Sequence, residues 1–486
     1  MIRPAASGAA DHGMLSRLSL KWQNVPMRLA WFSPMPPVPT GVAACSAEVV
    51  AALRAAHDID VFVDEPVAHA CATAEEGSAL AAGASAKAAG ASAKAAHDFV
   101  WLHRRAPYDL VVYQLGNSSH HDYEWPYVFR YPGLAVLHDA HLHHARAAAL
   151  LRTKRAADYR AEFKANHPDA SADLAELAIA GFDTHLHYYW PMTRLVVGVS
   201  RLTAVHAAAS AAGLADENPS AAIETIRLGH GVEVGDDEAR AARARVRASY
   251  GIGEDRLVFG VFGGLAPEKR LPQVLEAFAA VLPYAPAAHL LLAGASAAHY
   301  DVKADIARRG LDARVTLTGY LDTDEALTAA IAASDVALNL RWPTAREVSG
   351  PWLRSLAAGK PTVIIDLAHL ADVPSVDPRT WRPNMSGHEP VTVAVDIMDE
   401  DHSLRLAMRR LATDAALRGS LGRAGREYWR REHSPAMMLE DYRRVIGRAA
   451  SLPAPAVTLP PHLRNRGDGT LRAILDEMGC SSACEL

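Results

Sequence analysis

The chain has 486 residues, 50% hydrophobic and 22% charged, with 32 Gly and 29 Pro, enough for two large or three small domains and unlike a disordered or collagenous chain. Fifty basic against 55 acidic residues give a formal charge of -5, so no global basic field exists to hold a nucleic-acid backbone, and no nucleic-acid partner is expected. Cys45, Cys71, Cys480 and Cys484 are too few and too scattered to staple such a fold, no stretch reaches the ~20 apolar residues of a spanning helix, and residues 1–26 lack the apolar core of a secretory signal; a cytoplasmic protein is expected.

In chain order, an N-terminal extension of residues 1–26 precedes the strand Arg28–Phe32, a loop with Pro34, Pro36, Pro37, Pro39, Thr40 and Gly41, and a helix with Val42, Cys45, Val49, Leu53 and Ala56 on one face. Further strands are expected at Ile59–Val63, Leu110–Gln114, Leu134–Leu137 and Leu195–Val199. Short apolar runs alternating with helical periodicity predict a parallel sheet covered on both faces. Inside this half, at about 73–97, lies an Ala-rich insert in which the heptad GASAKAA is written twice over Gly83–Ala96, expected to form a flexible or weakly helical surface loop. The stretch Arg146–Lys164 carries six cations among alanines and leucines, a basic amphipathic pattern whose ordinary reading is a solvated face and whose minor alternative is peripheral contact with the inner face of a membrane.

A second series begins at the strand Leu257–Phe262, a Gly-rich turn, and a helix with Leu271, Val274, Leu275, Phe278 and Leu282 at spacings of three and four. Strands at His289–Ala293, Arg314–Leu317, Val336–Leu340, Thr362–Ile365 and Val391–Val395 follow, with Asp322, Thr323 and Asp324 capping one of the helices between them. The expected fold class is α/β, with two doubly wound Rossmann-like domains, 27–220 and 221–449, joined around Ala212–Glu224. A Pro-rich tail, 450–486, is expected to be loosely attached.

Ligands of such sheets bind at the carboxyl ends of the strands. The first loop of the second domain runs Gly263, Gly264, Leu265, Ala266, Pro267, Glu268, Lys269, Arg270 straight into a helix. Small residues let a ligand approach the backbone, and adjacent cations at a helix start suit a phosphate; the plain alternative is a strand-to-helix turn with two solvated cations. Next comes the loop Thr344–Pro351, with Glu347, Ser349 and Gly350 ahead of a helix. Free amides at that helix start suit a phosphate and Glu347 suits sugar hydroxyls, against a plain reading of capping by Ser349. The cluster His138, His141, His143 and His144 has no metal-site spacing.

Taken together, Pro36–Gly41, His138–Asp139, GGLAPEKR, GYLDTDEALTAAIAASDVALNLRWPT and REVSGPWLRSLAAGKPTVI resemble glycosyltransferase family 4, retaining enzymes of the GT-B fold, in which two Rossmann-like domains face each other across a cleft. The resemblance covers Met27–Ala449. It implies that Lys269 binds the donor's diphosphate, with Gly263, Gly264 and Arg270 in the same loop, and that Glu347, Ser349 and Gly350 hold the donor sugar and phosphate. Gly41 would face the diphosphate through its backbone, and His138 would lie beside the transferred sugar. It also implies a nucleoside diphosphate sugar as donor, a carbohydrate or lipid-linked hydroxyl as acceptor, no metal or cofactor, and a last helix packed back on the N-terminal domain. It sets no oligomeric state. Two positions depart from the family: the arginine shortly before the lysine is Gly264 here, followed by Arg270 instead, and the second glutamate of the Glu-x7-Glu pattern, which holds the ribose, falls on Arg354 or Ser355. Counting back from Gly359 puts Arg346 at the first glutamate. Those departures keep a non-catalytic sugar-nucleotide-binding scaffold and a nucleotide-sugar epimerase as alternatives.

Overall fold

The computed structural model describes residues 25–38, 40–64, 93–182, 186–464, 473–475 and 477–479. The expectations for residues 1–24 and for the insert up to Ser92 therefore lie outside the described residues. The chain divides into two compact units, one of Met1–Val205, Gly213–Glu224 and Arg443–Leu486, the other of His206–Ala212 and Thr225–Tyr442.

The first unit is built on β1 (Arg28–Phe32), β2 (Asp58–Val63), β3 (Lys94–Ala95), β4 (Leu110–Leu115), β5 (Leu134–Leu137), β6 (Leu202–Val205) and β7 (Ile223–Thr225), in the order β3-β2-β1-β4-β5-β6-β7. Pairs β1 with β2, β1 with β4, β4 with β5 and β5 with β6 are parallel. All six residues of β4 are buried, as continuous apolar runs must be when helices cover both faces. In the insert, Lys94–Ala95 pairs with β2 as a strand, and the Lys94 ammonium meets Asp60 at 2.6 Å; the second heptad thus ends in the sheet instead of a loop.

Leu195–Val199, expected as a strand, is helical over Arg194–Val199, and the strand beside β5 is β6. A five-residue apolar run does not distinguish a buried strand from a buried helical turn. Here the tertiary structure decides, because Asn166 Oδ1 accepts the Leu195 amide at 2.9 Å and Ser200 Oγ returns to the Val196 carbonyl at 2.7 Å. Arg146–Lys164 folds into two helices, His143–Arg152 and Ala156–Asn166. Arg146 is buried against Glu162 (Nε to Oε2, 2.6 Å), Arg155 meets Asp158 at 2.7 Å and Arg160 Nη2 meets Glu176 at 2.8 Å. Three of the six cations thus make internal pairs. The described first part of the tail is anchored: His462 donates to Glu162 at 2.7 Å.

The second unit holds β8 (Val258–Phe262), β9 (His289–Ala293), β10 (Val315–Leu317), β11 (Val336–Leu338), β12 (Thr362–Ile365), β13 (Ser375–Val376) and β14 (Thr392–Val395), in the order β10-β9-β8-β11-β12-β14-β13. Its core gathers Phe259, Leu275, Phe278, Leu290, Val363 and Leu404 between sheet and helices. The helical face read from the sequence, Leu271, Val274, Leu275 and Phe278, is buried as its spacing required. Thr323 caps the helix Asp324–Ala333 by accepting the Ala326 amide at 3.1 Å.

Candidate functional site

In the first unit, β1, β4 and β5 are neighbours, so the loops that follow them open at one carboxyl edge. Thr40 caps the helix Gly41–Leu53 by accepting the Ala43 amide at 3.1 Å. A methyl placed on Gly41 would meet no atom within 4 Å, so packing does not require glycine there and its backbone stays open to a ligand. After β5, His138 donates its amide to the Leu115 carbonyl at 2.8 Å, and its ring Nε2–H donates to Gln114 Oε1 at 2.8 Å. That second bond fixes the tautomer and leaves Nδ1 as the acceptor. Asp139 accepts the Asn117 amide at 2.6 Å and Asn117 accepts the Ala145 amide at 2.9 Å, lacing the β4 and β5 loops together.

In the second unit, β8 lies between β9 and β11. Gly263, at φ +85, donates to the Ala293 carbonyl at 2.9 Å, and a methyl on it would come within 2.8 Å of Lys269 Nζ. Gly294 is more constrained, since a methyl there would be 2.1 Å from the Gly263 carbonyl oxygen. Gly264 faces open space. Lys269 closes the turn Pro267–Lys269, and its ammonium donates to the Phe262 carbonyl at the end of β8. Burial and the nearby Arg341 charge push it down to about 8, with Glu347 acting the other way.

Arg270 sits elsewhere. Its left-handed backbone (φ 58) sends the guanidinium to Glu400, Nε to Oε1 at 2.8 Å. The sequence placed it with the phosphate-binding cations; the structure commits it to a nearly buried carboxylate, which leaves the loop with Lys269 alone from this segment.

The missing second cation comes from the loop after β11. Arg341 pairs with Glu347, Glu347 also accepts from Thr344 Oγ1 at 2.8 Å, and the Trp342 amide donates to the Glu268 carbonyl at 2.7 Å. The β8 and β11 loops are thus bonded to each other, and Lys269, Arg341 and Glu347 form one cluster. Arg341 lay within LNLRWPT in plain view, but nothing in its spacing set it apart; its position past the end of β11 was the only sign. Glu347 therefore does not cap a helix, and Ser349 does, accepting the Trp352 amide at 3.3 Å.

That cap revises the expectation of several free amides at Gly350–Ala357. Pro351 has no N–H, Trp352 is taken by the Ser349 hydroxyl, and Leu353 by the Ser349 carbonyl at 3.1 Å. Gly350 is left as the open amide of this turn among the described residues. At the two positions expected to hold the ribose, Arg354 pairs with Asp324 at 2.9 Å and Ser355 is fully buried, bonded to the Pro351 carbonyl at 2.7 Å. Neither offers a carboxylate. Arg346 is exposed at φ 61 and bonds through its amide to Thr344 Oγ1 at 2.9 Å.

Residues 256–380 match the family model described as Glycosyl transferases group 1. The chain is a glycosyltransferase. No curated protein matches it. Among solved structures it resembles sucrose-phosphate synthase of Thermosynechococcus elongatus, at 16% identity and TM-score 0.56 over 86% of this chain and 99% of that one. It also resembles Alr3699/HepE of Anabaena in complex with UDP-glucose, at 14% identity and TM-score 0.58 over 86% and 99%. The catalytic domain of starch synthase IV from Arabidopsis thaliana, bound to ADP and acarbose, matches at 13% identity and TM-score 0.57 over 88% and 100%. At these identities the likeness is one of fold, and the fold is GT-B. The matched segment of the glycosyltransferase contains Lys269, Arg341 and Glu347. Among its described residues no three His, Cys, Asp or Glu side chains gather as a metal site, and no helix is long and apolar enough to cross a membrane.

Proposed function

We propose that this glycosyltransferase moves a hexose-like sugar from a nucleoside diphosphate sugar to a hydroxyl of a carbohydrate or lipid-linked acceptor, with the anomeric configuration retained and without a metal ion. The observation that carries the reading is the Lys269, Arg341 and Glu347 cluster at the bonded β8 and β11 loops. The hard part of the reaction is the charge that develops on the departing diphosphate. Two fixed cations in a half-buried site stabilise that charge with little reorganisation. An anion reaching Arg341 competes with Glu347 for the guanidinium, which turns the Glu347 carboxylate toward sugar hydroxyls. Gly350 adds an amide at a helix start, where the dipole favours negative charge.

Gly41 and His138 keep the roles that the family resemblance implies, an open backbone for the diphosphate and an imidazole beside the transferred sugar. A retaining glycosidase would need two carboxylates flanking the bond. With a diphosphate leaving group the acceptor instead attacks the face that the diphosphate vacates, and the diphosphate takes the acceptor's proton. The UDP-glucose and ADP bound in the similar structures do not choose the donor base here, because no carboxylate stands at the ribose positions.

A second reading, a sugar-nucleotide-binding subunit without turnover, is favoured by one observation, the use of Arg354 on Asp324 where the family has a glutamate. One experiment separates them. UDP-, ADP- and GDP-sugars are screened for binding, and those that bind are incubated with oligosaccharide and lipid acceptors in the presence of EDTA. Release of nucleoside diphosphate with an axial or equatorial linkage matching the donor supports the proposal; binding without any transfer supports the second reading.

A further inference from the structure

The proposal above leaves the helix start Gly350–Ala357 short of donors, since only the Gly350 amide is open there. Beside it stands a side chain to which neither the family resemblance nor the comparisons give a role. His230 is 8% exposed, and its Nδ1 is buried without a hydrogen-bond partner among the described residues. The other edge of the ring faces the helix start: Cδ2 and Nε2 lie 3.5 and 3.9 Å from where a methyl on Gly350 would sit. With Nδ1 enclosed in the protein, the Nε2 edge is the one that a ligand at the helix start would meet.

The backbone around His230 is held to place the ring there. A methyl on Gly229 would lie 2.7 Å from the Ser434 carbonyl oxygen, and one on Gly231, at φ +97, would lie 3.1 Å from Arg354 Cα. Glycines on both sides let this segment press against the helix Gly350–Ala357 and the residues around 434. The His230 carbonyl accepts the Trp429 indole N–H at 2.8 Å, and the preceding Leu228 carbonyl accepts His433 Nδ1 at 3.0 Å. The backbone that carries the ring is therefore held from two directions.

We propose that His230 donates a ring N–H to the diphosphate of the bound donor at the start of the helix Gly350–Ala357, alongside the Gly350 amide. This rests on the nucleotide-sugar reading. Burial, with the charge of Arg354 added and Asp324 opposing, pushes the imidazole down to about 4. At neutral pH the ring is a neutral donor, pre-placed and without charge of its own to desolvate.

The test is calorimetric titration of wild type, His230→Phe, His230→Gln and Lys269→Ala with UDP and ADP, and with uridine and adenosine as ligands lacking phosphate. A donor bonded to a charged acceptor implies at least a tenfold loss of diphosphate affinity in His230→Phe. Nucleoside affinity should be unchanged, and His230→Gln should recover part of the loss. A folded His230→Phe that binds the diphosphate as tightly as wild type overturns the proposal while leaving the nucleotide reading intact. If wild type binds neither diphosphate, the nucleotide reading falls and this inference with it. Should His230→Phe fail to fold, ¹⁵N-histidine spectra of the wild type decide: a ring nitrogen resonance that shifts with UDP or ADP but not with the nucleoside, and is absent in His230→Gln, supports the contact, and no such shift overturns it.

Discussion

At the scale of single residues, three cations that look alike in the sequence do different work. Lys269 and Arg341 share one cluster with Glu347, whereas Arg270 pairs with Glu400. Removing one preorganised donor to a transition-state charge typically costs 10²- to 10³-fold in rate. Lys269→Ala and Arg341→Ala are each expected to lower kcat/KM by about that factor, and the double variant by less than the product, since both act on one charged group. Steady-state kinetics of the two single variants and the double variant check this; fully additive losses would mean that the cations serve separate groups. Lys269 also predicts a pH effect. Because burial and Arg341 lower it to about 8 in the free enzyme, kcat/KM should fall as the pH rises through about 8, and Lys269→Arg, which stays charged, should flatten that limb. Arg270→Ala is expected to behave otherwise, leaving a nearly buried Glu400 without its partner. A loss of about 2 kcal/mol in urea unfolding with turnover barely changed is the expected outcome. A large loss of turnover at unchanged stability would return Arg270 to the phosphate site.

At the scale of elements, the glycines of the strand-end loops divide by what surrounds them. Gly41 opens a helix behind the Thr40 cap and has nothing within 4 Å of an added methyl, whereas Gly294, at φ +153, has the Gly263 carbonyl oxygen 2.1 Å away. Gly41→Ala should therefore melt within a degree or two of wild type, alanine being the better helix former, while its KM for the donor rises. Gly294→Ala should lose stability by more than ~2 kcal/mol because backbone must move. Melting curves together with donor titrations check the pair. If Gly41→Ala binds donor as wild type does, that backbone is not a contact. The same scale shows how far the sequence could be read. The Gly-rich turn and the capped helix starts were legible because composition and spacing are local signals. Leu195–Val199 was not, because its helical form depends on Asn166, 29 residues away in the chain.

At the scale of the whole molecule, acid should loosen both units. His206, His230 and His433 are buried in the second unit, and burial pushes each down to about 4. In the unfolded chain each takes up a proton near pH 6.5, so between about 6.5 and about 4 the unfolded state binds more protons and stability falls as the pH falls. Each histidine contributes up to ~1.4 kcal/mol per pH unit within that window. In the first unit His121 and His167, lowered to about 4 by burial, and His143, lowered to about 3, act in the same direction, while Glu124, raised by burial, opposes them. Urea unfolding at pH 7, 6 and 5, followed by hydrogen exchange to resolve the units, should show a falling midpoint with protection lost in both. A midpoint that stays level from pH 7 to pH 5 would contradict this account.

The sequence by itself determined the two series of strands and helices, the loops at their strand ends, and the residues Lys269, Glu347, Ser349 and Gly350 within those loops, because hydrophobic period, glycine content and capping residues act over a few neighbours. Only the tertiary structure decided which partner each charge found. Arg270 reaches Glu400 across 130 residues, Arg354 reaches Asp324 across 30, and His462 brings the tail to Glu162 across 300. A cation's role depends on which carboxylate lies within about 3 Å of it, and that distance is set by how helices and sheet pack, a property that no local pattern along the chain encodes.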